Sequence, residues 1–431
     1  MKKSKKFVLA ALVLLAITGL LALAGCKNDT VSETPAAKLV SISVTPSEGT
    51  VYNVGDEVVH KKDGEIGVTA HYDNGKTRTV TGTITTDTST LTQSAGVQTV
   101  TVRYSEGGIE VSGQFEIRVL PKELTDYKSP NNTDGSWTYV EFGEWPQSEA
   151  LGVSPTLVDP QPENLFKGKY YSDANGEYVE KDGKYYKVEP IVWRVLNKDY
   201  ASTGKAMLLA EKVLTGGIPY YVDLNTRTIT GAGTMEGKPN TVYPNNWQYS
   251  TIRAWLNGLD VVKSDDAQEN DTTYTDKGFL QTAFTQSARK LIELTSVDNS
   301  AASTNPASND KQWQDGKNEY ASDTPTMDKI FLLSEEEATT LNSGFDEYDR
   351  YVGDGTTLTS TRIRVTTDYA EVTGAYQNPT EGYGGRWWLR SPYYNDESRA
   401  RFIAIGGDAY NILPVNYTNL GVVPALSISL Q

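Results

Sequence analysis

Residues 384–392 read Gly-Gly-Arg-Trp-Trp-Leu-Arg-Ser-Pro, and residues 421–426 read Gly-Val-Val-Pro-Ala-Leu. Each indole carries a large apolar area that is costly to leave in water. The two stretches therefore predict two core strands. The first should end at Pro392, which has no backbone donor and a fixed φ. Side chains alternate along a strand, so we expect one of Trp387 and Trp388 to fill a core and the other to line a second surface or a cleft.

A polar stretch rich in Tyr, Asn, Asp, Ser and Arg lies between these two strands. Tyr supplies rigid contact area at low entropy cost, and amides and hydroxyls adapt to varied partners, as in antibody paratopes. We therefore predict a recognition surface, against the simpler interpretation that Tyr and Asn are common in turns. The predicted ligand-binding residues are Tyr393, Tyr394, Asn395, Asp396, Tyr410, Asn411, Asn416, Tyr417 and Asn419.

The order of motifs in this part of the chain resembles a bacterial domain of unknown function related to the C-type-lectin-like fold. That fold is also used by formylglycine-generating enzymes and by the variable proteins of diversity-generating retroelements. The resemblance runs from Trp137 to the C-terminus and implies a lectin-like α+β domain. It departs at Val423, where the family usually has Arg, so a ligand contact made there does not carry over. Besides the two stretches above, the motifs are Phe142-Gly143, Trp145–Ser148, Pro190–Leu196, Trp255–Asn257, Asp328–Ser334 and Thr367–Ala370.

The sequence argues against the enzymatic activities that this resemblance suggests. Formylglycine-generating enzymes need reactive cysteines that hold copper, and the iron-dependent sulfoxide synthases that share this fold need a cluster of histidine ligands. Residues 137–431 contain neither Cys nor His. A Ser-His-Asp triad is excluded for the same reason. A carboxylate pair stays open because acidic residues are plentiful, although no spacing singles one out. We predict that the protein is not an enzyme and has no cofactor, catalytic residue or metal site.

The amino terminus predicts export and lipid anchoring. Four Lys among the first six residues precede an apolar run at 7–22, and Leu-Ala-Gly-Cys follows at 23–26. A basic region, an apolar region and small residues before a cleavage site are typical of a signal peptide. The cysteine makes the pattern resemble the lipobox of bacterial lipoproteins, the alternative being a transmembrane anchor. We expect lipidation at Cys26 and a chain held on the bilayer of the cell envelope, facing the periplasm or the exterior.

The rest of the chain divides by pattern. Residues 39–120 alternate with period two between regular turns, which is typical of a β-sandwich, and details of the segment resemble bacterial immunoglobulin-like domains. The two histidines, His60 and His71, lie there with no acidic or thiol partner at ligand spacing, so we expect structural roles for both. The predicted class is mainly β and α+β. Its parts are a signal peptide at 1–25, a tether at 26–38, an immunoglobulin-like domain at 39–120, a linker at 121–136 and a lectin-like domain at 137–431.

Short helices are predicted between the strands of the last part. Ser250 is a good N-cap for a helix over 251–257 that ends at Gly258. A second amphipathic pattern covers 279–292 and breaks near Thr285. Ser334 and Glu337 have the spacing of a capping box. The segment 296–325 is rich in Ser, Asn, Asp and Ala, and we expect it to be a mobile surface excursion.

Charge and composition narrow the function. The net charge of −15 argues against nucleic acid as a partner. We expect a non-catalytic surface lipoprotein that binds a protein or a glycan, the alternative being a structural lipoprotein without a specific ligand.

Residues 398–430 contain no Lys, Met, Gln, Glu or Trp. In the variable proteins that this fold resembles, mutated adenines change chiefly the first two positions of codons such as AAC, and the changed codons do not encode these five residue types. The resemblance therefore suggests the further hypothesis that residues 393–419 are diversified by a retroelement.

Overall fold

The computed structural model describes residues 37–130, 137–162, 168–232, 239–259, 278–304, 318–340, 345, 361–409 and 411–429. These residues form several β-sheets with six short α-helices between them, which confirms the predicted mainly β and α+β class. The predicted signal peptide, Cys26 and Tyr410 lie outside the described residues. None of the described helices is both long enough and apolar enough to cross a membrane.

The first sheet has six strands: β1 (Leu39–Ser43), β2 (Val51–Asn53), β3 (Glu65–Tyr72), β4 (Thr77–Ile84), β5 (Gly96–Glu106) and β6 (Ile109–Leu120). Their order is β1-β3-β4-β5-β6-β2, with every pair antiparallel except β2 and β6. A Cβ added at Gly113 of β6 would lie about 3 Å from side-chain atoms of Ile42 and Val44, so the β1 end of the sheet packs closely against β6. Alternate residues of β5 and β6 meet there in one apolar cluster.

Both histidines belong to this six-stranded region. His71 Nε2 lies 2.9 Å from Ser43 Oγ, and His60 Nε2 lies 3.0 Å from the carbonyl oxygen of Glu48. The ring of His60 also meets Phe115 edge-on. Within the described ranges no three His, Cys, Asp or Glu side chains come together as a metal site would need. Each histidine is therefore held by ordinary hydrogen bonds.

Sixteen further strands follow in the described chain. They are β7 (Lys122–Glu123), β8 (Tyr139–Glu149), β9 (Thr156–Leu157), β10 (Tyr170–Asp173), β11 (Gly176–Lys181), β12 (Lys184–Asn197), β13 (Ala206–Ala210), β14 (Arg227–Thr228), β15 (Thr241–Val242), β16 (Thr295–Val297), β17 (Thr326–Asp328), β18 (Ile330–Phe331), β19 (Trp387–Pro392), β20 (Arg399–Ile403), β21 (Asn411–Pro414) and β22 (Ala425–Ile428).

The largest sheet has nine strands and is organised around β12. Its main path is β18-β22-β13-β12-β11-β10-β9, and β8 pairs with β12 and with β7. The central strand β13 reads Ala-Met-Leu-Leu-Ala and is buried along its whole length, because both of its neighbours are strands and both of its faces are covered. Two small sheets, β14-β15 and β16-β17, and the three-stranded sheet β19-β20-β21 pack around this frame.

Strand β19 corrects the expectation for the two tryptophans. It ends at Pro392, as predicted, but all six of its residues are buried and both indoles are fully inside. The Trp388 ring meets Tyr220 at 5.9 Å, and the backbone of Trp387 bridges to Gly421. Neither ring lines a surface, because β19 lies between layers that cover both of its faces. Val423 is also fully buried.

Six helices connect the strands: α1 (Thr251–Asn257), α2 (Phe279–Ala283), α3 (Gln286–Arg289), α4 (Ala301–Thr304), α5 (Glu335–Thr339) and α6 (Asp368–Val372). Ser250 Oγ accepts from the Arg253 amide, and Gly258 follows α1 with φ of 65°. Thr285 lies between α2 and α3, and its side chain accepts from the Ala288 amide as the N-cap of α3. Both hydrogen bonds of the Ser334–Glu337 capping box are present. The predicted N-caps, the break at Thr285 and the end at Gly258 are thus confirmed, but the second pattern is helical only to Arg289 and not to residue 292, because Ile292 bridges to Ile428.

The described residues of the segment predicted as a surface excursion are built into the fold. Within 296–304 and 318–325 the structure places strand β16, helix α4 and the buried side chains of Asn299, Asn318 and Ser322. The expectation is therefore wrong for these described residues, because their polar side chains make hydrogen bonds inside the protein. Residues 305–317 lie outside the described residues.

Several contacts join the six-stranded region to the rest of the chain. Lys290 of α3 pairs with Glu116 of β6 at 2.9 Å, and an Arg118 guanidinium nitrogen donates to the carbonyl oxygen of Ser429. Strand β7 pairs with β8, and the Ser129 hydroxyl is buried against Glu211. The predicted division at 120 and 137 stays a prediction, with a separate apolar cluster on either side of it.

Candidate functional site

The three-stranded sheet decides which of the predicted ligand-binding residues lie together. Arg399, at the start of β20, pairs with Pro414, at the end of β21. The turn 393–398 and the segment 415–419 therefore lie at the same end of the sheet, and the Val415 amide donates to the Ser398 carbonyl at 2.9 Å. We call residues 393–398 and 415–419 the hairpin end. Seven of the nine predicted residues lie there: Tyr393, Tyr394, Asn395, Asp396, Asn416, Tyr417 and Asn419.

Of the other two predicted residues, Asn411 belongs to the opposite end of the same sheet. Strand β20 is five residues long, so its two ends are separated by roughly 15 Å. Tyr410 lies outside the described residues, and Asn411 follows it at the start of β21. The side-chain Nδ2 of Asn411 donates to Asp408 Oδ2 at 2.8 Å and so ties the two sides of the β20–β21 turn together. The structure does not bring Asn411 together with the hairpin end.

Asn395 and a four-residue loop on a buried base are the exposed parts of the hairpin end. Residues 416–419, Asn-Tyr-Thr-Asn, are all exposed, and 37% of the Tyr417 surface is accessible. Val415 and Leu420 on either side are fully buried, and the Gly217 amide donates to the Thr418 carbonyl at 3.2 Å. The loop is thus fixed at both ends and in its middle.

The turn 393–398 contributes two half-buried tyrosines. The rings of Tyr393 and Tyr394 meet edge-on at 4.9 Å, and the guanidinium of Arg401 lies 5.2 Å from the centre of the Tyr393 ring. Arg401 also pairs with the buried carboxylate of Glu335 at 3.0 Å. Tyr393 therefore rests on a charged group that is itself fixed in the core.

Asp396 shapes this turn. Its carboxylate accepts from the amide and the hydroxyl of Ser398 at 2.8 and 2.7 Å and from Arg399 Nε at 3.1 Å. Partial burial raises the pKa of Asp396, but the hydrogen bonds from Ser398 and the charge of Arg399 outweigh it and hold the pKa below its ordinary value. The carboxylate oxygens are therefore engaged in the turn itself.

Sequence reasoning missed the segment that supports the turn from below. The side-chain amide of Asn245, fully buried, donates to the carbonyl oxygens of Asp396 and Arg399, both at 3.0 Å. Its backbone amide donates to the Glu397 carbonyl. Thr226 holds the Glu397 carboxylate at 2.9 Å. The only hint of this support in the sequence was the pair Asn245-Asn246 beside Trp247, and the apolar residues around that pair do not follow the period of a helix or a strand.

A cleft opens beside the hairpin end, between β19 and the segments around residues 246 and 320. Its cavity volume is about 10 Å³, which is room for about one water molecule. Asn318 fixes one wall by donating to the Pro392 carbonyl at 2.9 Å. Tyr320 packs edge-on against Tyr243 at 4.9 Å, and burial together with the nearby charges of Glu319 and Glu397 raises the pKa of Tyr320 to about 12. The lining residues are Asn246, Trp247, Gln248, Asn299, Thr304, Tyr320, Ala321, Ser322, Arg390 and Pro392.

A buried charge pair forms the floor of this cleft. Arg390 is inaccessible and donates to Glu337, with one Nη2–Oε1 distance of 3.0 Å. It also donates to the carbonyl oxygens of Leu332 and Asp298, both at 2.8 Å. Burial raises the pKa of Glu337, but the charge and hydrogen bonds of Arg390 outweigh it and lower the pKa. The pair is a rigid support whose charges neutralise each other.

A second buried network lies away from the cleft, beneath β12 and β13. Glu211 accepts from two nitrogens of Arg194, at 2.6 and 2.9 Å, and from the Ser129 hydroxyl. Arg364 lies close to this pair, and burial together with the neighbouring charge of Arg194 lowers the pKa of Arg364 to about 9. One carboxylate thus neutralises parts of two guanidinium groups, and all three groups are buried.

Residues 203–430, which hold both the hairpin end and the cleft, match the model of a domain of unknown function, DUF6273. No curated protein and no solved structure matches the chain.

Proposed function

The chain belongs to the DUF6273 family, and from this premise we propose that it is a lipid-anchored cell-envelope protein whose C-terminal region binds a protein or a glycan without catalysis. The observation that carries this proposal is the hairpin end. Tyr and Asn side chains are exposed there on a base of buried residues. A preformed aromatic and amide surface binds with little loss of conformational entropy.

Two finer parts of the proposal concern fold and location. The mixture of sheets with short helices over 137–429 supports a C-type-lectin-like domain, and the closed packing of β1 against β6 supports an immunoglobulin-like spacer. The spacer and the tether would hold the hairpin end away from the bilayer. The sequence around Cys26 supports the anchor.

Truncation of Tyr394 is expected to weaken ligand binding by at least about tenfold, because Tyr is enriched among the few interface residues whose truncation costs about 2 kcal/mol or more. The full chain is first applied to arrays of glycans and of envelope proteins, and the retained ligand is then titrated against Tyr394→Ala and Tyr417→Ala. Tyr185→Ala is a matched control, since Tyr171 and Tyr185 form an edge-on pair at 5.0 Å far along the other sheet. Equal affinity of all three variants, or no retained ligand at all, favours the structural alternative.

Cys26→Ala is expected to abolish lipid labelling. Cys26 is the one cysteine of the chain, so a fatty-acid probe attached through sulfur has no other site. The measurement is incorporation of an alkyne fatty acid in cells that produce the full-length chain, followed by detergent partition. The variant should stay as an unlabelled precursor or leave the membrane fraction. Lipid labelling that persists in the variant contradicts the anchor.

A further inference from the structure

Strand β4 of the six-stranded sheet has one long side without a partner strand. On its first side it pairs with β3 along the whole stretch 77–83, without a bulge. On its second side it pairs with β5 only at Thr83 and Ile84. Among the described residues, no strand pairs with that second side of residues 77–81. We call residues 77–81 on this side the free edge of β4.

The phase of the β3–β4 hydrogen bonds decides which backbone groups lie on the free edge. The Tyr72 amide donates to the Lys76 carbonyl oxygen at 3.0 Å, so this pair is hydrogen-bonded across the two strands. Bonded and non-bonded pairs alternate along an antiparallel ladder. The amides and carbonyls that point away from β3, towards the free edge, are therefore those of Thr77, Thr79 and Thr81.

The free edge lacks the features that usually prevent strand pairing. A row of unpaired amides and carbonyls is a template for another strand, and proteins block it with bulges, short strands, prolines or charges. The two end strands of this sheet have such features, since β1 is irregular between Leu39 and Ser41 and β2 has three residues. Residues 77–81 contain neither proline nor lysine. Their one charge, Arg78, is paired with Glu106 of β5 at 2.8 Å.

We propose that the free edge of β4 pairs with the same edge of a second copy of this chain, antiparallel and centred on Thr79. A two-fold axis places the same patch of both copies in one self-complementary interface. Thr79 then faces Thr79 of the second copy, and Thr77 faces its Thr81. All three outward-directed residues become hydrogen-bonded, with about six backbone bonds in total. This inference does not depend on what the hairpin end binds.

The side chains of the two copies fit this register. The three threonines are exposed on the outer face of β4, and cross-strand Thr–Thr pairs are favourable. Arg78 lies on the inner face, since it pairs with the buried Ala70 of β3. It comes opposite Val80 of the second copy, so no like charges meet directly.

The neighbouring registers are less favourable. A shift of one residue puts the hydrogen-bonding groups of the two edges out of phase. A shift of two residues in one direction sets the Arg78 side chains of both copies opposite each other, which is destabilising. A shift of two residues in the other direction brings Thr77 opposite Thr83, whose backbone already pairs with Arg103. The sequence of the edge thus selects the register centred on Thr79.

The charge of the chain does not prevent this pairing. Each copy has a net charge of −15, which repels a second copy, but residues 75–84 contain no acidic residue. The repulsion therefore acts over a long distance, and physiological salt screens exposed charges that are more than about 8 Å apart.

Disulfide cross-linking of the full chain in cells, with a mild oxidant, tests both the pairing and its register. In the proposed register the two Cα atoms of residue 79 lie about 5.5 Å apart, which a disulfide spans. The two copies of residue 77 lie about 14 Å apart, and so do those of residue 81. Thr79→Cys should therefore give at least about tenfold more linked dimer than the matched controls Thr77→Cys and Thr81→Cys.

A mixture supplies the second result that the proposal requires. Thr77→Cys and Thr81→Cys chains produced in the same cells should link to each other, because these two positions face each other across the interface. The unchanged chain, whose one cysteine is Cys26, gives the background, and mass spectrometry identifies the linked peptides. Equal linkage by all three single variants, no linkage above background, or no mixed link overturns the proposal. Linkage only to a different protein also overturns it and assigns the free edge to a strand of that protein.

Discussion

Glu211→Ala is expected to lower the free energy of unfolding by about 3–5 kcal/mol, the usual cost of removing one partner of a buried ion pair. The carboxylate is 1% exposed and lies against two arginines, Arg194 and Arg364, that are themselves inaccessible. Without it, two positive charges stay buried next to each other. A domain of ordinary stability has 5–15 kcal/mol to lose, so this single change should bring the protein close to its threshold.

The measurement is urea unfolding followed by tryptophan fluorescence. Trp137 is a useful reporter because its ring lies 4.8 Å from the Arg194 guanidinium. Glu293→Ala is the matched control: its carboxylate pairs with Lys205 at 2.8 Å, but about a third of each side chain is accessible. Exposed pairs contribute about 0–1 kcal/mol. If the Glu211 and Glu293 variants unfold at the same urea concentration, the buried network does not stabilise the fold as described.

Features specified by neighbouring residues were predictable from the sequence. The N-caps at Ser250 and Ser334 and the break at Thr285 depend on side chains that bond to amides two or three residues away. Strand β19 and its end at Pro392 depend equally on local pattern. For the caps, the partner that satisfies the backbone lies within one turn, so the sequence window contains the whole cause. The backbone partners of β19 lie on β20, Gly421 and Leu333, and only its composition and its proline are local.

Features that depend on distant layers were not predictable. Trp387 and Trp388 both became buried because layers from elsewhere in the chain cover both faces of β19. Arg194 and Arg390 each stand inside an apolar strand, which signals burial, but their acidic partners come from residues 211 and 337. Sequence spacing does not show which carboxylate will meet which arginine.

The sequence located most of the residues that lie together at the candidate site, but it did not reveal the cleft beside them. Tyr and Asn composition located the hairpin end, while the strand register separated Asn411 from it. The sequence did not predict the cleft, because Asn246 and Asn299 come from segments in which apolar residues do not recur with the period of a helix or a strand.

The absence of five residue types from 398–430 also has a simpler cause, since most of β20 and β22 is buried and Lys, Gln and Glu are rare in cores. The diversification hypothesis therefore rests mainly on the exposed residues 416–419.

Glu337→Ala is expected to cost a similar 3–5 kcal/mol at neutral pH, because it leaves Arg390 charged and buried without its carboxylate. The change also removes the acceptor of the Tyr200 hydroxyl and half of the capping box at Ser334. Glu336→Ala is a matched control one position earlier on α5. Glu336 is half-buried, and burial together with the charge of Glu337 raises its pKa. Removing that carboxyl should leave stability nearly unchanged or slightly increased.

The loss caused by Glu337→Ala should depend on pH in a definite direction. The pKa of Glu337 is lower in the folded protein than in the unfolded chain, where a Glu titrates near about 4.3. Its contribution is therefore complete above about pH 4.3 and is lost as the pH falls through the lower folded value. Urea unfolding at several pH values between 7 and 3 should show the gap between Glu337→Ala and the unchanged chain constant from neutral pH to about pH 5 and narrowing below about pH 4. A gap that stays constant to pH 3, or widens, would mean that the Glu337 carboxylate is not what neutralises Arg390.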